Sequence, residues 1–519
     1  MTADGVAERS RRAELRAAGL KIGVAALAAA GLFALYAHEV KVEAQVADLL
    51  AGPKIGSGRA GGARADLNRD TTRGWLAAEA ALGKALDLQP SNPYAVAAWA
   101  DVEVMLAGEG FADRASKAEK AVARADGKDV LLPERYEALA LQLIGAGKAP
   151  EAETYLLALL EKFGAVPRLI DALGHAQRAT GKLVEARANF RKAQDADWRS
   201  PRFVADYAQA LLEDGNALEA AQAFDRALQA NSDHSRAQIG KARALVASRL
   251  QGRGGGDLQL AKSLCDAVLA KQEPASIKSR ALAARAEARL AFGDEAGASQ
   301  DAGAALFADA RSAAALRARA LVAVTAKKPD AAAAFNAAVA ADPYDASTYF
   351  DGASALVAAG DSAAAEKLLG AYAARLPRSA RYHLALAQIL GRRAARRDAQ
   401  AELNKAQQLE PTNALVYFEQ GRLAQGRKDA KAATAAYERA VQLRDDFPQV
   451  YRQMGGLYLE SRNVDAALKV FNEALARYKA ARTPPAVMEA FYSDVVGQVT
   501  RAGKKKLAEA WVREARALH

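Results

Sequence analysis

A single cysteine, Cys265, stands among 519 residues, so the chain can form no internal disulfide and no cysteine-built zinc site. Histidine is scarce as well: His38, His175, His234, His383 and His519 lie far apart, with no HExxH or similar ligand spacing. Aromatic residues supply only 6% of a chain that is 51% hydrophobic, so ring-filled cores are not its main device. No GxxxxGK[ST] phosphate loop occurs, because the Gly252–Gly256 cluster lacks the Lys-Ser/Thr pair. Asp and Glu are numerous but scattered over helix faces, where solvation and i,i+4 pairing account for them. The expectation is therefore no catalytic residues, no metal, no cofactor and no small-molecule substrate.

What is present begins with charge. Lys and Arg number 72 against 61 Asp and Glu, a net charge of +11. Arg9, Arg11, Arg12 and Arg16 precede a stretch, Ala17–Ala37, whose only charge is Lys21. As a helix this stretch would rise about 31 Å, enough to span a hydrocarbon core. The basic residues precede it and an acid-rich segment follows, so the positive-inside rule puts the N-terminus in the cytoplasm. A cleaved signal peptide and a packing helix remain as alternatives. The Ala51–Gly62 segment (AGPKIGSGRAGG) satisfies GxGxxG literally, but its Gly, Ser and Pro content reads as a flexible tether.

From Pro133 onward the chain repeats itself. Pro133, Pro167, Pro201 and Ser235 open successive units, as do Ser312, Ala346, Ala380, Ala414 and Pro448, at a period of about 34 residues. Each unit holds two helical patterns. The clearest shows Tyr451, Met454, Gly455 and Tyr458, then Ala467, Phe471 and Ala474. Earlier units give Leu173, Gly174, Gly181, Ala186, Phe190 and Ala193, then Tyr207, Ala208, Gly215, Ala220, Phe224 and Ala227. Small and large residues recurring in register at this period resemble the tetratricopeptide (TPR) family. The resemblance implies an all-α, right-handed superhelical solenoid of TPR helix hairpins, preceded here by a single N-terminal transmembrane helix. It also implies that the work is binding other proteins along a concave face.

Several positions on that face are candidates. Family members that grip chaperone C-termini use a Lys and an Asn on the first helix. The corresponding pairs here, such as Glu137/Leu141 and Asp171/His175, do not supply that clamp. Arg168, Arg202 and Arg236 take the second position of three consecutive units and could form a basic rail for an acidic segment; solvated helix starts are the alternative. Leu316, Phe350, Leu384 and Phe418 take the fifth position of four units and could line an apolar groove; packing between neighbouring first helices is the alternative. A third candidate is the turn carrying Arg392, Arg393, Arg396 and Arg397. It lies within Arg375–Lys405, where eight basic residues face two acids. No aromatics are interleaved with it, so nucleic acid is not the expected partner.

The expected organisation is a basic cytoplasmic tail (1–16), a transmembrane helix (17–37) and a juxtamembrane segment with Gly/Pro/Ser-rich linker (38–64). A TPR array (65–482) follows, of about eleven units plus a partial first one and with a Gly-rich insertion at 251–257, and then a capping hairpin (483–519). The expected role is a membrane-anchored scaffold of the bacterial inner membrane with its array in the periplasm. It would bind other proteins in assembly or operation of a cell-envelope complex of the secretion, pilus, gliding-motility or cytochrome-assembly type. An organelle-surface TPR receptor and a cytoplasmic assembly or regulatory subunit of an enzyme complex stand as alternatives.

Overall fold

The structure is a computed structural model that describes residues 38–516, apart from 40, 51–53, 56–57, 60–62, 110, 112–113, 126–131, 251–256, 329, 377–378, 446, 481–484 and 502. Its helices start and stop for local reasons. Ser200, Ser312 and Ser379 each accept from a backbone N–H three residues on, at Phe203, Ala315 and Tyr382. Such a cap is worth about 1 kcal/mol. Most first helices end beside a residue in the left-handed region: Gly147, Gly181, Gly215, Gly293 and Gly360 have φ between 76° and 93°. Glycine has no Cβ to clash there. In other hairpins the same place is held by Lys327, Ala394, Lys428 and Arg462, with φ between 52° and 62°. A side chain in that region costs about 1–2 kcal/mol. Second helices close on alanine carbonyls, which accept from the next segment at Asp197, Asn231, Asp309, Glu410 and Arg444.

Among the described residues the elements are helices apart from one two-residue antiparallel pairing, in which Lys54 faces Arg59 and Ile55 faces Gly58. This pairing lies in the stretch expected to be a tether. Two compact units can be separated. The smaller runs through Leu106 and takes in Arg114–Ala138; the larger comprises Ala107–Asp113 and everything from Leu139 onward. In the smaller unit Trp75, Leu82, Val102 and Leu106 are buried, and Arg114 pairs with Glu103 at 3.2 Å and with Glu79. Burial lifts the Glu103 carboxyl above its usual range, against the pull of Arg114.

In the larger unit nine consecutive helix hairpins are described from Pro167 to Ala480, followed by the pair Pro485–Arg501 and Lys505–Arg516. Each hairpin packs on the next, and first helices also touch the first helix of the neighbouring hairpin. Small residues set the approach. A Cβ added at Gly174 would stand 2.7 Å from the Phe190 ring, and one at Gly352 would stand 2.8 Å from the Phe335 ring. Gly421 against Tyr437 and Gly455 against Phe471 are tighter still. The alanines at the same contacts, among them Ala186, Ala220, Ala433 and Ala467, are buried throughout.

The expected membrane placement is corrected here. Among the described residues no helix is long and apolar enough to cross a membrane. The longest of them, Ala275–Phe292, has 18 residues and carries Lys278, Arg280, Arg285, Glu287 and Arg289. It is part of the stacked array, packed against the helices Leu258–Leu269 and Glu295–Ala308. The stretch expected to span, 17–37, and the basic tail 1–16 lie outside the described residues, as does most of the Gly-rich insertion. An inner-membrane address with a periplasmic array therefore has no support from the structure.

The interlock can be probed directly. Gly421→Ala should lower stability by about 1–3 kcal/mol, because its methyl would enter the Tyr437 ring. At an open helix position the same change stabilises by about 1 kcal/mol. A urea melt decides, and a stabilised variant would show that the hairpin has slack.

Candidate interaction surfaces

The three arginines of the expected rail have unequal surroundings. Arg202 is 6% exposed, and its Nη2 donates to Asp171 Oδ2 at 2.8 Å while its Nε lies 3.8 Å from Asp206 Oδ2. Arg236 lies 3.8 Å from Glu109, which also pairs with Arg280. Arg168 is half-buried at the start of its helix. Period 34 aligned the arginines, but Arg202 and Arg236 meet carboxylates of their own chain.

Around Arg202 the helices Pro167–Ala179 and Pro201–Glu213 bring together Asp171, His175 and Asp206. Among the described residues this is the one group whose ligand atoms could converge on a metal ion. Its chemistry fits an ion-pair knot better. The Arg202 guanidinium already donates to Asp171 Oδ2, the same oxygen that lies 3.6 Å from His175 Nε2. His175 Nε2 also meets Asp206 Oδ2 at 3.3 Å, with its ring edge-on to Phe190 at 4.9 Å. Burial opposes the charged imidazole, yet Asp206 outweighs it and raises the His175 pKa. Burial likewise opposes the Asp206 carboxylate, and His175 lowers its pKa in return.

The apolar ladder is largely enclosed. Phe350 is 4% exposed, tilted against the Tyr372 ring at 4.9 Å and roofed by the Arg381 guanidinium at 4.2 Å. Leu384 is buried with Leu403 and Val416. Phe418 is half-buried between Tyr437 and Phe447, and Leu316 is half-buried. Each rung has its own neighbours, so the four side chains sit in successive packing layers.

Sequence periodicity missed the contacts that join hairpins distant along the chain. Arg178 reaches Glu213 at 3.0 Å and Asp342, 164 residues away, at 2.9 Å. Arg381 Nη1 donates to the Glu213 carbonyl oxygen at 2.6 Å across 168 residues. Leu183 packs against the cluster containing Tyr349, Phe350 and Tyr372, and Ser276 donates to the Glu109 carbonyl oxygen. Beside these contacts Arg317, only 1% exposed, bridges Glu287 at 2.7 Å and Asp345 at 2.8 Å. Burial works against the Asp345 carboxylate, but Arg317 overrides it and holds the pKa at about 2. These hairpins thus pair with one another through the chain's own charges. Nothing at period 34 announces a partner several hairpins away, since only the curvature of the stack creates it.

Other side chains complete the survey. Cys265 is fully buried, and burial pushes its thiol up to about 12, so it stays protonated at neutral pH. Phe307 is 95% exposed at the end of Glu295–Ala308, outside the small-and-large register that flags core positions. Arg392, Arg393, Arg396 and Arg397 are exposed around one interhelical turn. There Arg393 pairs with Glu366 and Arg392 donates to the Val357 carbonyl oxygen at 3.2 Å.

A repeating hairpin whose first-helix glycine receives an aromatic ring from its second helix recurs at Gly174/Phe190, Gly421/Tyr437 and Gly455/Phe471. In fold the chain is an array of helix hairpins that resemble tetratricopeptide repeats. No family model matches it, and no curated protein matches it. Among solved structures it is similar to the Cut9–Hcn1 hetero-tetramer of the APC/C, at 14% identity over 86% of this chain and 90% of that one, with a TM-score of 0.43. It is also similar to yeast Tom70, at 15% identity over 75% of this chain and 92% of that one, with a TM-score of 0.43. A tetratricopeptide repeat protein from Parabacteroides merdae shares 16% identity over 54% of this chain and 93% of its own, with a TM-score of 0.28. All three scores fall below 0.5.

Two outcomes follow from the charge networks. Arg317→Leu should cost about 3–5 kcal/mol by stranding Glu287 and Asp345 in a buried site, which a chemical melt will read. A loss within about 0.5 kcal/mol would show that the pair is solvated. The raised His175 pKa stabilises the fold in full below the unfolded value of about 6.5, and that contribution is lost as pH rises through the folded value. Thermal melts of the parent protein should therefore show a drop in Tm on alkalinisation that His175→Asn abolishes. Equal slopes in both would remove His175 from the pH response.

Proposed function

We propose that the chain is a scaffold that binds other proteins. The observation that carries this reading is a long stack of like hairpins whose titratable clusters, where described, are spent on internal pairing. Arg202 with Asp171, Arg317 with Glu287 and Asp345, and Arg178 with Glu213 and Asp342 hold the array together. Cys265 is enclosed, and its thiol is held protonated. What the molecule offers a partner is surface.

The expected inner groove is the less favoured part of that surface between Pro167 and Arg392, because Phe350 is roofed by Arg381 and Arg178 ties its hairpin to the one that carries Asp342. The proposed partner sites are the interhelical turns and outer helix faces, where Arg396, Arg397 and Phe307 are exposed. A role in a cell-envelope machine leaned on the expected membrane segment and gains nothing from the hairpins. A cytoplasmic assembly or regulatory subunit would use the same surfaces.

Lysine-directed crosslinking in native lysate, followed by mass spectrometry, tests the proposal. The same protein partners should recur across preparations, linked to lysines on the turns and outer helices. A folded array that captures no protein reproducibly would sink the scaffold reading.

A further inference from the structure

The turns between first and second helices lie along one edge of the array, because the first helices of consecutive hairpins pack side by side. From Ala380 onward this edge is strongly basic. The turn after Ala380–Arg392 presents Arg392, Arg393, Arg396 and Arg397; the turn after Ala414–Gly426 presents Arg427, Lys428 and Lys431. The turn after Pro448–Glu460 presents Arg462, and the one after Pro485–Arg501 presents Lys504, Lys505 and Lys506. All are exposed. The acids at these turns are Asp398, Asp429, Glu460 and Asp465, with Glu366 of the preceding hairpin paired to Arg393, and Asp429 is engaged as a helix cap to Ala432. The opposite edge is mixed in sign: Glu410 and Asp445 stand there with Arg444, and Asp445 is partnered by Arg477. Earlier turns on this edge alternate, with Asp214, Asp294 or Asp361 at some and Lys148, Lys182 or Lys327 and Lys328 at others, so the density of arginine and lysine is highest in the last hairpins.

Lys428 and Arg462 adopt φ of 62° and 58°, where other turns use Gly181, Gly215 and Gly360. Lys327 on an earlier turn and Ala394 share that conformation, so at Lys428 and Arg462 a glycine would keep the turn and relieve its strain.

We infer that this edge docks an acidic, extended protein segment. The inference deepens the scaffold reading and rests on it. Charge complementarity selects an anionic occupant, and spacing selects its form. Neighbouring first helices pack about 8–10 Å apart, so one cationic turn recurs for roughly every three residues of an extended chain. Four turns suit an acidic stretch of about a dozen residues. Nucleic acid is the weaker fit: among the described residues beyond 310 the one exposed large apolar side chain is Leu409, which leaves no aromatic platform for bases.

Fluorescence anisotropy on the full chain tests this, with a fluorescein-labelled alternating Asp/Glu dodecapeptide and a labelled dT12 oligonucleotide as probes. The peptide should bind with an affinity that weakens as salt rises, and tighter than dT12 does. Lys505→Glu with Lys506→Glu should weaken it about tenfold. Charge reversal at the exposed Arg191 and Lys192 elsewhere in the array should leave it within about twofold. Lys428→Gly with Arg462→Gly should weaken peptide binding while raising Tm by about 1–3 °C. Tighter binding of dT12, equal losses from the two charge reversals, or a glycine variant that keeps full peptide affinity would each overturn the inference. Its failure would leave the recovery of partners by crosslinking untouched, so the two readings can fall separately.

Discussion

The close approach of a helix without side-chain bulk to a ring on its neighbour is the contact on which the rest of the array depends. Gly174, Gly421 and Gly455 let their helices lie against Phe190, Tyr437 and Phe471 with no room for a methyl group. Alanines such as Ala186, Ala433 and Ala467 complete the same seams. Because each seam needs one ring and several small residues, a chain with few aromatics can still bury a continuous core. Hydrophobic content in such a protein is mostly alanine, spread thinly over many helix contacts.

A second level of structure is electrostatic. Stacking hairpins of this kind brings distant ones together, and the chain meets that proximity with arginines and carboxylates rather than with apolar side chains. Arg178 and Arg381 make the long-range ties, while Arg317 is buried with two acids. Buried pairs of this sort contribute little net stability over an apolar filling, but they tolerate no missing partner. They therefore favour one arrangement of the coil over its neighbours.

Much of the hairpin structure was legible because it is local. Period 34, the turn glycines and the Gly–aromatic register all lie within a single unit, where side-chain size and backbone freedom act over a few residues. The ladders were only half legible. Alignment at period 34 put Leu316, Phe350, Leu384 and Phe418 on equivalent positions, but whether such a position faces a groove or a neighbour depends on curvature. Arg381, which covers Phe350, belongs to the next hairpin and nothing in its spacing marks that role. Arg202 was visible as a cation but not as the partner of Asp171, since the acid sits 31 residues earlier at a different place in its unit. The membrane expectation came from composition in a stretch outside the described residues, and no described helix carries an equivalent signal.

The ties between hairpins that are far apart in sequence alter what kind of object the array is. A stack whose members touch only their neighbours behaves as a one-dimensional chain, able to fray from either end or stretch like a spring. Stitched across its coils at Arg178, Arg381 and Ser276, this one must break several distant contacts before a single hairpin can leave. Its central hairpins should open together, on the slow timescale of a globular domain, while the last hairpins, which lack such stitches among the described contacts, can breathe independently. Rigidity and compliance would then coexist in one solenoid, sorted by position along the chain.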